Sequence, residues 1–230
     1  MTIKLFCAIF LFITSTCVNA VIVDGKFSAV IYYDGSDEGV WSRSLSGSEV
    51  TAQFWYDTAL APAPDPNYPH ATSYRSETNS WLNLIYFIDG KTIDISQSVG
   101  SNFDPFNTVE GVHINAETDY FGVHKEGLAG DILGDYVHTS GSVNIFDTAD
   151  IIKHNELEQN FSWVSDDSYD DTASFIMTGR SNGQQYTTLL EMYLTELTVA
   201  TREVSVPAPS PFPLLLIGLA VLVFRRRAYL

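Results

Sequence analysis

Apolar and polar residues alternate in several short runs along the middle of the chain. In residues 50–56 the even positions are apolar, a period of two that is typical of a β-strand with one buried face. Residues 82–88 are apolar on both faces, which predicts a strand nearer the core. Similar short runs occur at residues 27–33, 143–146, 174–178 and 187–199.

Turn-forming residue pairs stand between these runs. They are Asp34-Gly35, Asp89-Gly90, Ser140-Gly141 and Asn182-Gly183. The pattern predicts an all-β domain, and about eight to ten short strands with irregular loops favour an antiparallel two-sheet sandwich, jelly-roll-like in topology. No repeat at a fixed period is visible, which argues against a solenoid or a propeller.

Three segments fit this pattern less well. Leu190, Leu194 and Leu197 also match a helical period, but the threonines of residues 187–198 favour a strand. Residues 151–159 could form a short helix within a loop. The polar connection of residues 58–78 contains four prolines and little periodicity, which predicts a long functional or mobile loop.

The first 20 residues have the features of a secretory signal peptide. Lys4 precedes a short apolar run at residues 5–13, and small residues end the segment at Ala20, after which we expect cleavage. The apolar run is too short to span a bilayer, which disfavours a permanent anchor. A lipoprotein signal at Cys17 is also disfavoured, because Thr14 and Thr16 stand where a lipobox has Leu and a small residue.

The C-terminus combines a proline-rich stretch, an apolar run and a basic end. The stretch begins with Val206-Pro207-Ala208-Pro209, and the apolar run of residues 212–224 precedes Arg225, Arg226 and Arg227. As a helix this run would be about 20 Å long, against a hydrocarbon core of about 30 Å, so it would span a membrane only marginally. The three arginines would hold their end in the cytoplasm and leave the remainder of the chain outside.

This order of features resembles the PEP-CTERM sorting tail that exosortases recognise. Ala208 stands where the family usually has Glu, and the resemblance covers only residues 206–230. It implies export by the Sec machinery, insertion of the tail in the membrane, cleavage near Pro207 to Pro209 by an exosortase-like membrane protease, and transfer toward the envelope or an extracellular polysaccharide. A permanent single-pass anchor is the alternative.

Charge and cysteine content restrict what the central domain of residues 21–205 can do. The net charge of −16 includes Lys4 and the three C-terminal arginines, so the domain itself carries 8 basic and 28 acidic residues, a charge of −20. Such a potential repels phosphate backbones and makes nucleic acid an unsuitable partner. Both cysteines lie in the leader, so the domain contains no disulfide and depends on burial for stability.

One acidic turn has some of the spacing of a calcium loop. Asp34, Ser36 and Glu38 occupy positions 1, 3 and 5 of an EF-hand-like loop, and Gly39 occupies position 6. Position 12 is Leu45 rather than the bidentate glutamate, which excludes an EF-hand. A looser Ca²⁺ site remains open beside the alternative of a solvated acidic turn, and the acidic residues 166–171 allow the same two interpretations. No other cofactor is expected.

Aromatic residues suggest a second kind of site. Trp55 lies opposite the apolar face of its predicted strand, so it is the tryptophan we expect to be exposed and available to stack on a sugar ring. His113 and His124 lie in successive predicted strands and could meet, but the five histidines lack zinc-site spacing. No catalytic motif is present, and abundant carboxylates alone do not indicate an enzyme.

Together these observations favour a noncatalytic, exported envelope or extracellular-matrix protein that is handled through its tail. A secreted carbohydrate-binding module is the alternative.

Overall fold

The part of the protein that the structure describes contains eleven β-strands connected by turns and loops. The computed structural model describes residues 21–38, 40–41, 43–67, 72–77, 81–95, 110–128, 136–146, 150–165, 171–181 and 184–203. The strands are β1 (Val21–Asp34), β2 (Glu49–Asp57), β3 (Thr72–Ser76), β4 (Leu82–Ile88), β5 (Lys91–Asp94), β6 (Glu110–Asn115), β7 (Tyr120–Leu128), β8 (Tyr136–Phe146), β9 (Phe161–Val164), β10 (Thr172–Ser181) and β11 (Gln184–Glu203).

All eleven strands belong to one antiparallel sheet. Its order is β3-β6-β7-β8-β10-β11-β1-β2-β4-β5, and β9 pairs with the end of β11. The sheet curls so that its concave face encloses the core. The all-β, antiparallel prediction is therefore confirmed, but the described residues do not confirm a division into two sheets. The predicted C-terminal helix of residues 212–224 lies outside them.

Strand periodicity explains which side chains form the core. In β2 the even positions Val50, Ala52, Phe54 and Tyr56 are at most 1% exposed, as the alternating pattern predicts. Residues 82–88 form β4, as predicted; one face of this strand is fully buried in the core, and Phe87 on the other face is 37% exposed.

Aromatic rings join opposite parts of the curled sheet across the core. The ring centroids of Phe54 in β2 and Phe121 in β7 are 6.1 Å apart. Tyr86 in β4 contacts Phe27 of β1 edge-on at 5.7 Å and Phe175 of β10 at 5.2 Å. The concave face is therefore filled by interdigitating side chains contributed by strands that are distant in the sheet order.

Two glycine-containing turn predictions have different outcomes. Asp89 and Gly90 both have positive φ, 49° and 73°, and connect β4 to β5 as the hairpin pattern predicts. Ser140 and Gly141 lie inside β8 and form no turn, so that prediction was wrong. Gly141 is required there for another reason: a Cβ atom at this position would lie 2.5 Å from the ring of Tyr86.

The segment of residues 150–160 closes one end of the core without a helix. The carboxylate of Asp119 accepts hydrogen bonds from the backbone N–H groups of Ile151 and Ile152, at 2.9 and 2.6 Å. The Tyr56 hydroxyl donates to the Leu157 carbonyl at 2.7 Å. The short helix expected at residues 151–159 is absent, because side chains rather than helical bonds satisfy this backbone.

The described residues of the proline-rich connection 58–78, which are 58–67 and 72–77, include regular structure that its composition does not suggest. It contains β3, which pairs with β6 at the edge of the sheet. The Asp65 N–H donates to the Ser73 carbonyl at 2.7 Å, which fixes the preceding loop against that strand.

Candidate functional site

The predicted sorting and cleavage residues border the folded unit but are not part of it. Ala20, Val206, Pro207, Ala208 and Pro209 lie outside the described residues, as do Arg225, Arg226 and Arg227. The compact unit runs from Val21 to Glu203, and these two residues are paired with each other in the β1–β11 ladder. The two ends of the unit therefore lie side by side.

The predicted calcium loop is organised by hydrogen bonds to the Asp34 carboxylate. This group accepts the backbone N–H of Leu45 at 2.7 Å and that of Ser36 at 3.1 Å. Burial raises the pKa of Asp34, but these bonds and those from the Ser36 and Ser44 side chains outweigh it and hold the pKa below its usual value. The Ser36 hydroxyl accepts from the Trp41 indole at 3.0 Å, and Glu38 is exposed.

Hydrogen bonds fix the conformation of this loop. Backbone donors already point at the carboxylate, and the loop is also fixed to β11 by the N–H of Thr187, which donates to Asp37 at 2.6 Å. In the second acidic stretch only Asp171 is described, and its carboxylate accepts the Phe146 N–H at 2.7 Å. Among the described residues there is no group of three or more His, Cys, Asp or Glu side chains close enough to hold a metal ion. Calcium binding stays a prediction.

Trp55 lies on the outer face of β2, as its position opposite the apolar face predicts. It is half-buried rather than exposed, between Asp24 of β1 and Asn83 of β4 in the ladders. Arg202 forms an ion pair with Asp24 beside it, with an N···O distance of 2.9 Å. Because Trp55 is half-buried, less of its ring is available for stacking than the sequence suggested.

The two histidines in successive strands come together on the outer face. His113 of β6 pairs with Gly122 of β7, and His124 of β7 pairs with Gly111, so the two lie diagonally across one ladder. Burial, and after it the electrostatic influence of Arg75 and of the neighbouring His124 ring, lowers the pKa of His113 to about 4. His124 Nε2 lies within hydrogen-bond distance of Glu126 Oε1, at 3.3 Å. This is a satisfied polar cluster on a sheet face.

Sequence reasoning missed a buried ion pair in the core. Glu110 of β6 and Lys125 of β7 are opposite each other, 0% and 1% exposed, with 2.9 Å between Lys125 Nζ and Glu110 Oε2. The carboxylate also accepts the backbone N–H groups of Trp81 and Leu82, at 3.3 and 3.2 Å, and the ammonium donates to the Leu82 carbonyl. Burial lowers the pKa of Lys125, and the charge of Glu110 opposes that effect.

A pair of stacked tyrosines on the outer face was also missed. Tyr32 of β1 and Tyr193 of β11, which we call the outer tyrosine pair, have ring centroids 4.2 Å apart and planes inclined by 22°. The Tyr32 hydroxyl donates to Glu191 at 3.0 Å. The consecutive aromatics Tyr32 and Tyr33 were a usable signal, because two successive residues of a regular strand cannot both face the core.

Comparison with known proteins gives no relative for this chain. No family model matches it, and neither does any curated protein or any solved structure. Within the described ranges, no helix combines the length and the apolar character needed to cross a membrane.

Proposed function

We propose that the protein is a noncatalytic component of the cell envelope or extracellular matrix, exported through its leader and sorted through its C-terminal tail. In this proposal the Sec machinery translocates the chain, the tail enters the membrane with Arg225 to Arg227 inside, and an exosortase-like protease processes it near Pro207 to Pro209. The acidic domain is the part delivered outside. Its charge disfavours nucleic-acid partners.

The single observation that best supports the proposal is the position of the folded unit between the two predicted signals. The first residue of β1 is Val21, immediately after the predicted cleavage site, and β11 ends at Glu203, just before the Val206-Pro207 stretch. Removal of either terminal segment would therefore leave every described strand intact. If the leader and the tail are both cut, the folded unit must lie between the two cleavage points, and the described strands do.

The jelly-roll arrangement also remains a proposal. It is supported by packing across the core, where strands from distant parts of the sheet meet face to face, as they do in a sandwich.

Intact-mass analysis of the protein from membrane, envelope and medium fractions of its native host tests the proposal. We expect a mature form that begins at Val21 and, in at least one fraction, ends near Pro207 to Pro209. A variant with Pro207→Ala and Pro209→Ala is the matched control, and it should accumulate with the tail attached. Chains that begin at Met1 and end at Leu230 in every fraction would contradict both signals.

A carbohydrate-binding module is the second proposed function, since the fold presents aromatic side chains on its outer face.

A further inference from the structure

The outer tyrosine pair exposes aromatic surface at a place where packing in the core does not require it. Tyr32 is 42% exposed and Tyr33, next to it, is 48% exposed. The rings of Tyr32 and Tyr193 stack nearly parallel at 4.2 Å, so each covers one face of the other, and Tyr32 leaves the remainder of its aromatic surface open to water. Clustered, exposed apolar surface of this kind marks an interaction site more often than isolated exposed residues do.

A β-bulge lies next to the stacked rings. In the β1–β11 ladder Ile31 pairs with Met192 and Tyr33 pairs with Glu191, which leaves Tyr32 as the extra residue. Tyr32 faces outward like the other even positions of β1, and beyond the bulge Tyr33 is exposed as well, although the odd positions 23–31 are buried. Bulges redirect side chains and are common next to binding sites, and this one adds exposed aromatic surface beside the pair.

A line of polar side chains, which we call the polar row, extends from the tyrosines across four neighbouring strands. Register pairs Glu191 with Ser174, Ser174 with Ser142, and Ser142 with His124. These residues are half-buried, whereas the adjacent positions along each strand are buried in the core, so all four face outward. Neighbouring strands are separated by about 4.8 Å, which makes the polar row about 14 Å long.

Hydrogen bonding along the polar row suits a ligand rich in hydroxyl groups. The Ser142 and Ser174 hydroxyls are 2.9 Å apart and can each donate or accept. Glu191 accepts from Tyr32, and an ionised carboxylate has further lone pairs that accept strong bonds from other hydroxyls. The apolar C–H face of a sugar ring can lie on a tyrosine while its hydroxyls reach these groups.

The negative charge of the domain restricts which kinds of polysaccharide could bind to the polar row. Glu191 and, beside His124, Glu126 are the charged side chains along the polar row, and the whole domain carries a charge of −20. A sulfated, phosphorylated or uronic-acid polymer would be repelled. An uncharged polysaccharide would not be, and it offers the donors that the carboxylate needs.

We infer that the outer tyrosine pair and the polar row bind an uncharged polysaccharide chain. This inference rests on the proposed export, which places the domain among extracellular polymers, but the binding itself can be tested independently of sorting. The site differs from the one that the sequence suggested, since Trp55 lies on β2 and is partly covered by its neighbours.

Native affinity electrophoresis of the purified full-length chain tests the inference. The gels contain dextran, hydroxyethylcellulose or galactomannan as neutral polymers and alginate as an anionic one, and the detergent has no sugar headgroup that would compete. We expect retardation by at least one neutral polymer and none by alginate. Tyr193→Ala should weaken the association constant by about ten-fold or more, and Tyr32→Phe, which keeps the stacked ring, should weaken it less.

Two further variants keep the outcome interpretable. Glu191→Gln keeps the shape of the site and should also weaken binding, so it replaces Tyr193→Ala if that variant fails to fold by circular dichroism. Trp55→Ala is the matched control and should bind like the parent. Absence of retardation by all three neutral polymers would overturn the inference, as would selective loss of binding in Trp55→Ala. Neither result would affect the intact masses that test export.

Discussion

Glu110 and Lys125 form a charged pair in the core of a folded unit, residues 21–203, that contains no cysteine and so no disulfide. Each charge loses its hydration, and the pair recovers that cost only through its mutual contact and its bonds to the backbone of Trp81 and Leu82. Because the Leu82 N–H and carbonyl are both engaged, the pair connects β6 and β7 to the start of β4. It joins the two arms of the curled sheet where no strand pairing does.

Replacing Lys125 with Met tests this role. We expect a loss of about 3–5 kcal/mol in the free energy of unfolding, because the Glu110 carboxylate stays buried without its cation. Equilibrium unfolding in urea measures this change in the free energy of unfolding. The double variant Lys125→Met, Glu110→Gln should recover most of the loss, and Arg202→Ala, which breaks an exposed pair, should cost less than about 1 kcal/mol. Equal stability of the single variant and the parent would contradict the role.

Side-chain direction could be predicted for some residues and not for others. Alternation correctly placed Phe54 inside and Trp55 outside, because a regular strand has a fixed period of two. The same rule fails at Tyr33, which is exposed although the odd positions 23–31 of β1 are buried, because a bulge interrupts the period there, and nothing local in the sequence marks the bulge. The burial of the Lys125 side chain could not be predicted from local sequence either, since it depends on Glu110, fifteen residues earlier in the chain.

At the scale of elements, β4 is fixed in two ways, by pairing with its neighbouring strands and by a side chain that crosses the core. It pairs with β2 and β5 through its backbone, and Tyr86 reaches across the core. The Tyr86 hydroxyl donates to the Ser174 carbonyl at 2.8 Å and to the Ser142 carbonyl at 3.3 Å, on β10 and β8. One side chain therefore connects β4 to β8 and β10, two neighbouring strands that lie several places away from β4 in the sheet order.

Tyr86→Phe should lower the free energy of unfolding by about 1–2 kcal/mol, because the ring still fills its space and only the buried hydroxyl is lost. Chemical denaturation with an unchanged m-value would show that the effect is on stability alone. Tyr33→Phe removes a hydroxyl from a ring that is 48% exposed and should change stability by less than about 0.5 kcal/mol. If both variants lost the same amount, the cross-core bonds of Tyr86 would have no special role.

The strands themselves were more predictable than their pairing. Residues 50–56 and 187–199 were correctly predicted as strands from period and composition, which are local properties. The single continuous sheet depends on contacts between residues far apart in sequence, such as Val21 with Glu203, and periodicity contains no information about these. Ser140-Gly141 shows the same limit, since the glycine serves a distant tyrosine rather than a turn.

At the scale of the whole molecule, the folded unit should not need its flanking segments. A chain reduced to residues 21–203 is expected to melt within about 3 °C of the full-length protein, because every described strand is retained. Thermal circular dichroism measures this. Removing residues 21–24 as well should lower the melting temperature clearly, since they pair with both β2 and β11. An unfolded 21–203 chain would show that the ends contribute to the fold.

The pairing of Val21 with Glu203 also determines how the domain would respond to mechanical force. Pulling on the two ends of the unit would open the β1–β11 ladder one pair of hydrogen bonds at a time, which takes little force. Pulling between Glu203 and a polymer held at Tyr32 of β1 would instead slide β11 along β1, so that many hydrogen bonds of their ladder share the load. A protein tethered by its C-terminus and gripping a polysaccharide by the outer tyrosine pair would therefore be loaded in its more resistant direction.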